Sequence, residues 1–232
     1  MRKLIDRRRV LAAGAGLGAA AALAPVLPGT AQAATAQAGT AQAADSPRSR
    51  AWNGTRSANG WPVLDHAESF GIEGSGRSVR LATGPAAVIL LHVARRFHYE
   101  IDGLREGDVQ GHTRSRDILQ RYESNHLSGT AIAIRPRAYP VGVKGGLYPR
   151  ELVVVRDILA ELDGVVAWGG DFGTPKESHF EIAYQPGHPE VDALARRIQT
   201  WNSGSGGEGA GATDAFDPER QAQARAFARR AG

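Results

Sequence analysis

Apolar and polar positions along the chain alternate between helical and β spacing. Val88, Leu91 and Val93 predict a buried helix over 86–97. A second helix is predicted over 149–162. Pro149 stands near its start, Leu152, Val153, Val155, Ile158 and Leu159 form its apolar face, and Gly164 lies beyond its end. Residues 191–201 read as a third. Residues 79–81 read as a short strand, and 117–122 as a polar-apolar segment leading into a loop. Residues 130–134 form a β-prone run bounded by Gly129 and Pro136, which predicts a core strand. Residues 165–168 predict another, stopped by Gly169-Gly170, and 179–184 alternate as a strand ended by Pro186-Gly187. Long helices with a few short strands argue for an α+β fold rather than a doubly wound sheet. No phosphate-binding glycine loop and no repeat of solenoid length stands in the chain.

The ends read differently from the middle. Residues 1–33 have a basic start, an apolar run over 10–27 and the small-residue triplet Ala31-Gln32-Ala33, the pattern of a secretory signal rather than a stable membrane anchor. Arg7-Arg8-Arg9-Val10-Leu11 resembles the twin-arginine export motif. The expected location is therefore extracytoplasmic. Residues 34–49 form an Ala-, Gln- and Thr-rich spacer, and 34–44 offer no aliphatic side chain larger than Ala with which to build a core. The folded domain is expected over 50–201. Residues 202–232 open with a Gly- and Ser-rich linker. Asp217-Pro218 then signals a helix start, but the short Ala- and Arg-rich helix after it is marginal alone. That tail is expected to be mostly disordered.

Charge and cysteine content narrow the function classes. The 232 residues carry a formal charge of +4. Arg2, Lys3, Arg7, Arg8 and Arg9 against Asp6 account for all of it, so the remainder is neutral. A non-specific nucleic-acid binder is excluded on that ground. With no cysteine, neither a disulfide scaffold nor a thiolate metal site is available.

Seven histidines are the main candidates for chemistry. His92 and His98 fall within the apolar helix pattern and read as packing residues. His66, His112 and His188 lie in polar loops and are expected to be solvated. His126 and His179 differ, because each stands at the start of a predicted strand, where two imidazoles can converge on one zinc. A catalytic zinc needs a third protein ligand, an open position and a nearby carboxylate as proton acceptor.

Ser124-Asn125-His126-Leu127-Ser128-Gly129-Thr130-Ala131-Ile132-Ala133 resembles the Ser-x-His-x-x-Gly-x-Ala-x-Asp motif of the D-alanyl-D-alanine carboxypeptidase and L-alanyl-D-glutamate endopeptidase family of zinc peptidases. Trp168-Gly169-Gly170-Asp171, followed by His179-Phe180-Glu181-Ile182, resembles its second motif. The likeness spans most of residues 61–201, in the version seen in secreted actinobacterial proteins. It implies the small α+β fold shared with the hedgehog signalling domain, with a short antiparallel sheet and flanking helices. It further implies one zinc held by His, Asp and His, and peptidoglycan stem peptides as substrate.

His126 and His179 match the family's zinc histidines, and Ser124 and Gly129 match residues of its motif loop. Two carboxylates are missing. Ala133 stands where the zinc aspartate belongs, and Lys176 where the catalytic acid belongs. The resemblance with these losses implies a wall-directed protein of impaired or absent activity and weak or absent zinc binding. The alternative is an active zinc carboxypeptidase or endopeptidase with relocated carboxylates, Glu177 as the acid and Asp171 as the ligand. A third reading is a non-enzymatic secreted domain with another ligand. Tyr99, Tyr122, Trp168 and Phe180 either line a peptide groove or pack in the core.

Overall fold

The computed structural model describes residues 48–203 and 213–231. The signal, most of the spacer and most of the linker lie outside the described residues. No described helix is long and apolar enough to cross a membrane.

The fold is α+β, built on a four-stranded antiparallel sheet in the order β4-β6-β8-β7. Its strands are β4 (Val109–Gln110), β6 (Ala131–Ile134), β7 (Val166–Trp168) and β8 (His179–Ile182). Two small antiparallel pairs stand beside it. One joins β1 (Arg50–Ala51) to β5 (Asp117–Ile118), and the other joins β2 (Glu68–Ile72) to β3 (Arg77–Leu81). Helix α1 (Pro85–Glu100) packs against β6 and β8, and α3 (Pro189–Ser203) and α2 (Pro149–Glu161) pack against α1.

The period of two along the strands divides the sheet into a core face and a site face. Ile132, Ile134, Phe180, Ile182, Val166 and Trp168 point into the hydrophobic core beneath the helices. The intervening residues Ala131, Ala133, His179 and Glu181 share the opposite face. Register pairs Ala133 with His179 and Ala131 with Glu181. Small alanines thus stand directly across from the two polar side chains.

Two glycines permit close approaches that shape this face. Gly129 has φ 66°, and a Cβ there would stand 2.5 Å from the Ala82 nitrogen. A Cβ on Gly169 would stand 2.4 Å from the Lys176 carbonyl and 2.9 Å from the His179 Cβ. The turn into β6 and the return from β7 to β8 therefore need these positions bare.

The C-terminal tail corrects the expectation of disorder. Helix α4 (Pro218–Ala231) packs along α2, with Ala224 buried and Phe227 against the core. Arg220 bonds Asp157 at 2.9 and 2.7 Å. The helix is marginal alone, but tertiary burial and this ion pair supply what its own composition lacks. The folded domain accordingly extends past residue 201.

Candidate functional site

His126 ends a 3₁₀ helix (Arg121–His126) that runs into the β6 turn. Glu123 stabilises the start of that helix, where its Oε2 accepts the backbone N–H of Leu119 at 2.7 Å and of Gln120 at 3.1 Å. Ser124 accepts the N–H of Ala58 at 2.8 Å and donates to the Arg121 carbonyl at 2.8 Å, so it ties the turn to the N-terminal segment. Ser124 and Gly129 shape the loop.

The rings of His126 and His179 lie 5.2 Å apart between centroids, edge to face. Two imidazoles on one tetrahedral zinc have centroids about 5 Å apart, given Zn–N bonds of about 2.0–2.1 Å. Hydrogen bonds set which nitrogens remain bare. His126 Nδ1–H donates to the Gly111 carbonyl at 3.0 Å, leaving Nε2 as a lone pair. His179 Nε2–H donates to Glu181 Oε2 at 2.6 Å, and that oxygen also accepts Asn125 Nδ2–H at 2.7 Å. His179 Nδ1 is buried with no partner. Tyr122 and Phe172 enclose the same ring, at 4.9 and 6.1 Å between centroids.

The remaining sequence candidates lie elsewhere in the bonding pattern. Ala133 is buried and offers only a methyl group opposite His179. Lys176 Nζ donates to Glu123 Oε1 at 2.6 Å, so an ion pair stands at the position where the resemblance implies an acid. Glu177 accepts the N–H groups of Gly145, Gly146 and Leu147 at 2.7, 2.8 and 3.2 Å, and its carboxylate anchors that loop. Asp171 forms a two-pronged pair with Arg156 at 2.5 and 2.6 Å. Neither carboxylate bonds to an imidazole. Among the described residues, no three His, Asp or Glu side chains converge closely enough to hold a metal. The residues present therefore do not fit the zinc set of His, Asp and His that the resemblance implies.

A cleft of about 730 Å³ opens on this site, bordered by Arg80, His112, Thr113, Glu123, His126 and Lys176. His112 departs from the solvated expectation, for it is buried and Nε2 bonds the Leu64 carbonyl at 2.9 Å. His66 is exposed, and His188 is half-buried and stacks on Tyr184 at 3.9 Å. Of the aromatic candidates, Trp168 and Phe180 are core residues, Tyr99 is exposed, and Tyr122 alone touches a site histidine. Sequence reasoning missed Glu123 and Asn125. Glu123 stands three residues after Gln120, the spacing of a helix cap, which was the one local signal for it.

Burial lowers His126 to about 3, with His179 and Lys176 adding to the shift. Burial also lowers His179 to about 3, with Lys176 adding. Glu181 is pushed up to about 7 by burial, against its bond from Asn125. Between about pH 6.5 and 4.5 the unfolded chain takes up two histidine protons that the fold refuses. Over much of the same range the fold keeps a Glu181 proton that the unfolded chain releases, and the histidines outweigh it. Glu161, lowered to about 2 by His92 and Arg96 despite burial, adds its loss only below about pH 4.5. The melting temperature should therefore fall as pH drops from about 6.5 to 4.5. It should fall more steeply in Glu181→Gln, which lacks the opposing proton. A flat thermal profile across this window would mean that the imidazoles protonate within the fold.

Comparison with known proteins finds no matching family model, no matching curated protein and no matching solved structure.

Proposed function

We propose that the chain is a secreted, cell-wall-directed protein that engages peptidoglycan stem peptides on a D,D-peptidase-like scaffold without hydrolysing them. The observation that carries this reading is the fate of the two carboxylate positions. A methyl group faces His179 at Ala133, and Lys176 is paired with Glu123 beside the imidazoles. Zinc lacks its anionic ligand there, and the proton acceptor is replaced by a cation. The loop and strand residues around the loss are retained in order, and a cleft of about 730 Å³ remains beside them. That volume lies in the range of small-ligand sites. Glu177 and Asp171 are bonded elsewhere, which speaks against relocated carboxylates.

The test is co-sedimentation of the mature protein with purified peptidoglycan, followed by assay of released alanine and stem-peptide fragments with added zinc or chelator. Retention on the wall without release, unaffected by chelator, is the expected result. Zinc-dependent release that disappears in His126→Ala would establish the active peptidase instead. Absence of retention would favour the domain with another ligand.

A further inference from the structure

Two Asn-Gly pairs stand close together near the start of the domain, Asn53-Gly54 and Asn59-Gly60, and the fold treats them in opposite ways. Glycine has no Cβ, so in such a pair its backbone nitrogen can approach the preceding side-chain amide closely. Asn59 is half-buried and held from several sides. Its Oδ1 accepts Ser57 Oγ–H at 2.6 Å, and its Nδ2 donates to Thr130 Oγ1 and to the Ile182 carbonyl, each at 2.9 Å. The Gly60 N–H donates to the Ser57 carbonyl at 3.0 Å. Asn53 is exposed, and among the described residues neither its side-chain amide nor the Gly54 N–H has a hydrogen-bond partner. Only the carbonyls around it are fixed, since Arg116 Nη1 donates to those of Trp52 and Gly54, each at 3.0 Å.

We propose that Asn53 is a site of spontaneous deamidation, with water as the only co-reactant. The Gly54 nitrogen attacks Asn53 Cγ and forms a new C–N bond. The Cγ–Nδ2 bond breaks, and Nδ2 leaves as ammonia with the proton of the Gly54 N–H. Water then opens the cyclic imide. Opening at Cγ gives aspartate, and opening at the backbone carbonyl gives isoaspartate, in which the main chain runs through the former side chain. Either product adds a negative charge to an exposed loop. Isoaspartate also adds a methylene between the two carbonyls that Arg116 clamps, and so strains that clamp. Trp52 directly follows β1 and Arg116 directly precedes β5, whose Asp117 and Ile118 border the cleft. Loosening at Asn53 therefore reaches the edge of the cleft. This inference does not rest on wall binding.

Trypsin separates the two pairs, since Arg50, Arg56 and Arg77 place them in peptides 51–56 and 57–77. The mature protein is aged in mildly alkaline buffer below its melting temperature, beside a sample unfolded in urea. Mass spectrometry of each digest, against a zero-time digest, follows deamidation, and an isoaspartyl methyltransferase labels the isoaspartyl product. In the folded protein, peptide 51–56 should accumulate both products. Peptide 57–77 should react at least about 100-fold more slowly, because Asn59 must wait for an opening of the fold. In urea the two rates should converge. Asn53→Gln should abolish the change in 51–56. Hydrogen exchange over 51–56 should quicken on ageing in the parent protein and not in Asn53→Gln. A folded protein whose peptide 51–56 stays intact while the unfolded chain reacts overturns the proposal. Equal rates in the two peptides of the folded protein overturn the protection assigned to Asn59. Unchanged exchange after isoaspartate has accumulated overturns the link to β1 and β5.

Discussion

Ala133→Asp combined with Lys176→Asp is expected to create zinc-dependent hydrolysis of stem peptides, with none expected from the parent protein. The geometry places the first substitution. Ala133 is the direct register partner of His179, and paired residues on one face have Cβ atoms about 4.5–5.5 Å apart. An aspartate there stands within reach of the two bare imidazole nitrogens and supplies the third protein ligand of a catalytic zinc. The second substitution removes a repulsion and adds a proton acceptor. At about 5 Å in an effective dielectric near 20, each pair of unit charges costs roughly 3 kcal/mol, and a dication beside an ammonium twice that. Without metal the double variant should be less stable than the parent, because the carboxylate introduced by Lys176→Asp would face Glu123. Zinc should restore it. Ala133→Asp alone should bind zinc more tightly than the parent and turn over poorly, and Lys176→Asp alone should show little turnover. General-base assistance contributes about 100- to 10,000-fold, which sets the gap between Ala133→Asp and the pair. Alanine release from peptidoglycan, with a chelator control, measures it. Zinc binding without cleavage would mean that the cleft takes another ligand. No zinc binding at all would remove His126 and His179 from any metal role.

Arg96→Met should cost more stability than loss of any cation at the surface. Arg96 has no exposed side-chain area. Its guanidinium bonds Glu100 through two contacts of 2.6 Å, Asp157 at 2.7 Å and Glu161 at 2.9 Å. It thereby joins α1 to α2, and through the same carboxylates to Arg220 of α4. Removing one member of a buried ion network leaves uncompensated charge and costs about 3–5 kcal/mol. In a domain of this size each kcal/mol lowers the melting temperature by about 2–4 °C, so a fall of roughly 10 °C is expected. Arg220→Ala should cost less, since that side chain is 29% exposed and Arg96 remains to hold Asp157. Urea unfolding of both variants gives the comparison. A larger loss for Arg220→Ala would mean that α4, not Arg96, organises the network.

Strands β3, β6, β7 and β8 and three helices of the domain were legible because their signals are local, whereas β1, β2 and β4 carried no such signal. Alternation over 179–184 placed His179 and Glu181 on one face and Phe180 on the other before any partner strand was known. Pro149 and Gly164 bracketed α2 in the same way. The 3₁₀ helix before β6 was less legible, because the Glu123 cap is the main local mark of it and that residue also serves Lys176, 53 positions away. His112 read as solvated because its loop is polar, yet the chain folds it under Leu64. The docking of α4 was invisible for a related reason. An Ala- and Arg-rich helix gains its stability from Asp157 and the face of α2, and neither appears in its own sequence.

The site divides along the same line. By itself the sequence determined the α+β class, His179 at a strand start, His126 in the turn before a strand, and the glycines around them. Periodicity, turn chemistry and spacing act over a few residues, so one dimension carries them. Only the tertiary structure decided what surrounds Ala133, Lys176, Glu177 and Asp171. It set Ala133 against His179, joined Lys176 to Glu123, and committed Glu177 to a loop and Asp171 to Arg156. Each of these is a choice of partner among distant groups. Such a choice is made by how the chain returns on itself, because an ion pair or a hydrogen bond depends on ångströms of approach that local patterning does not specify.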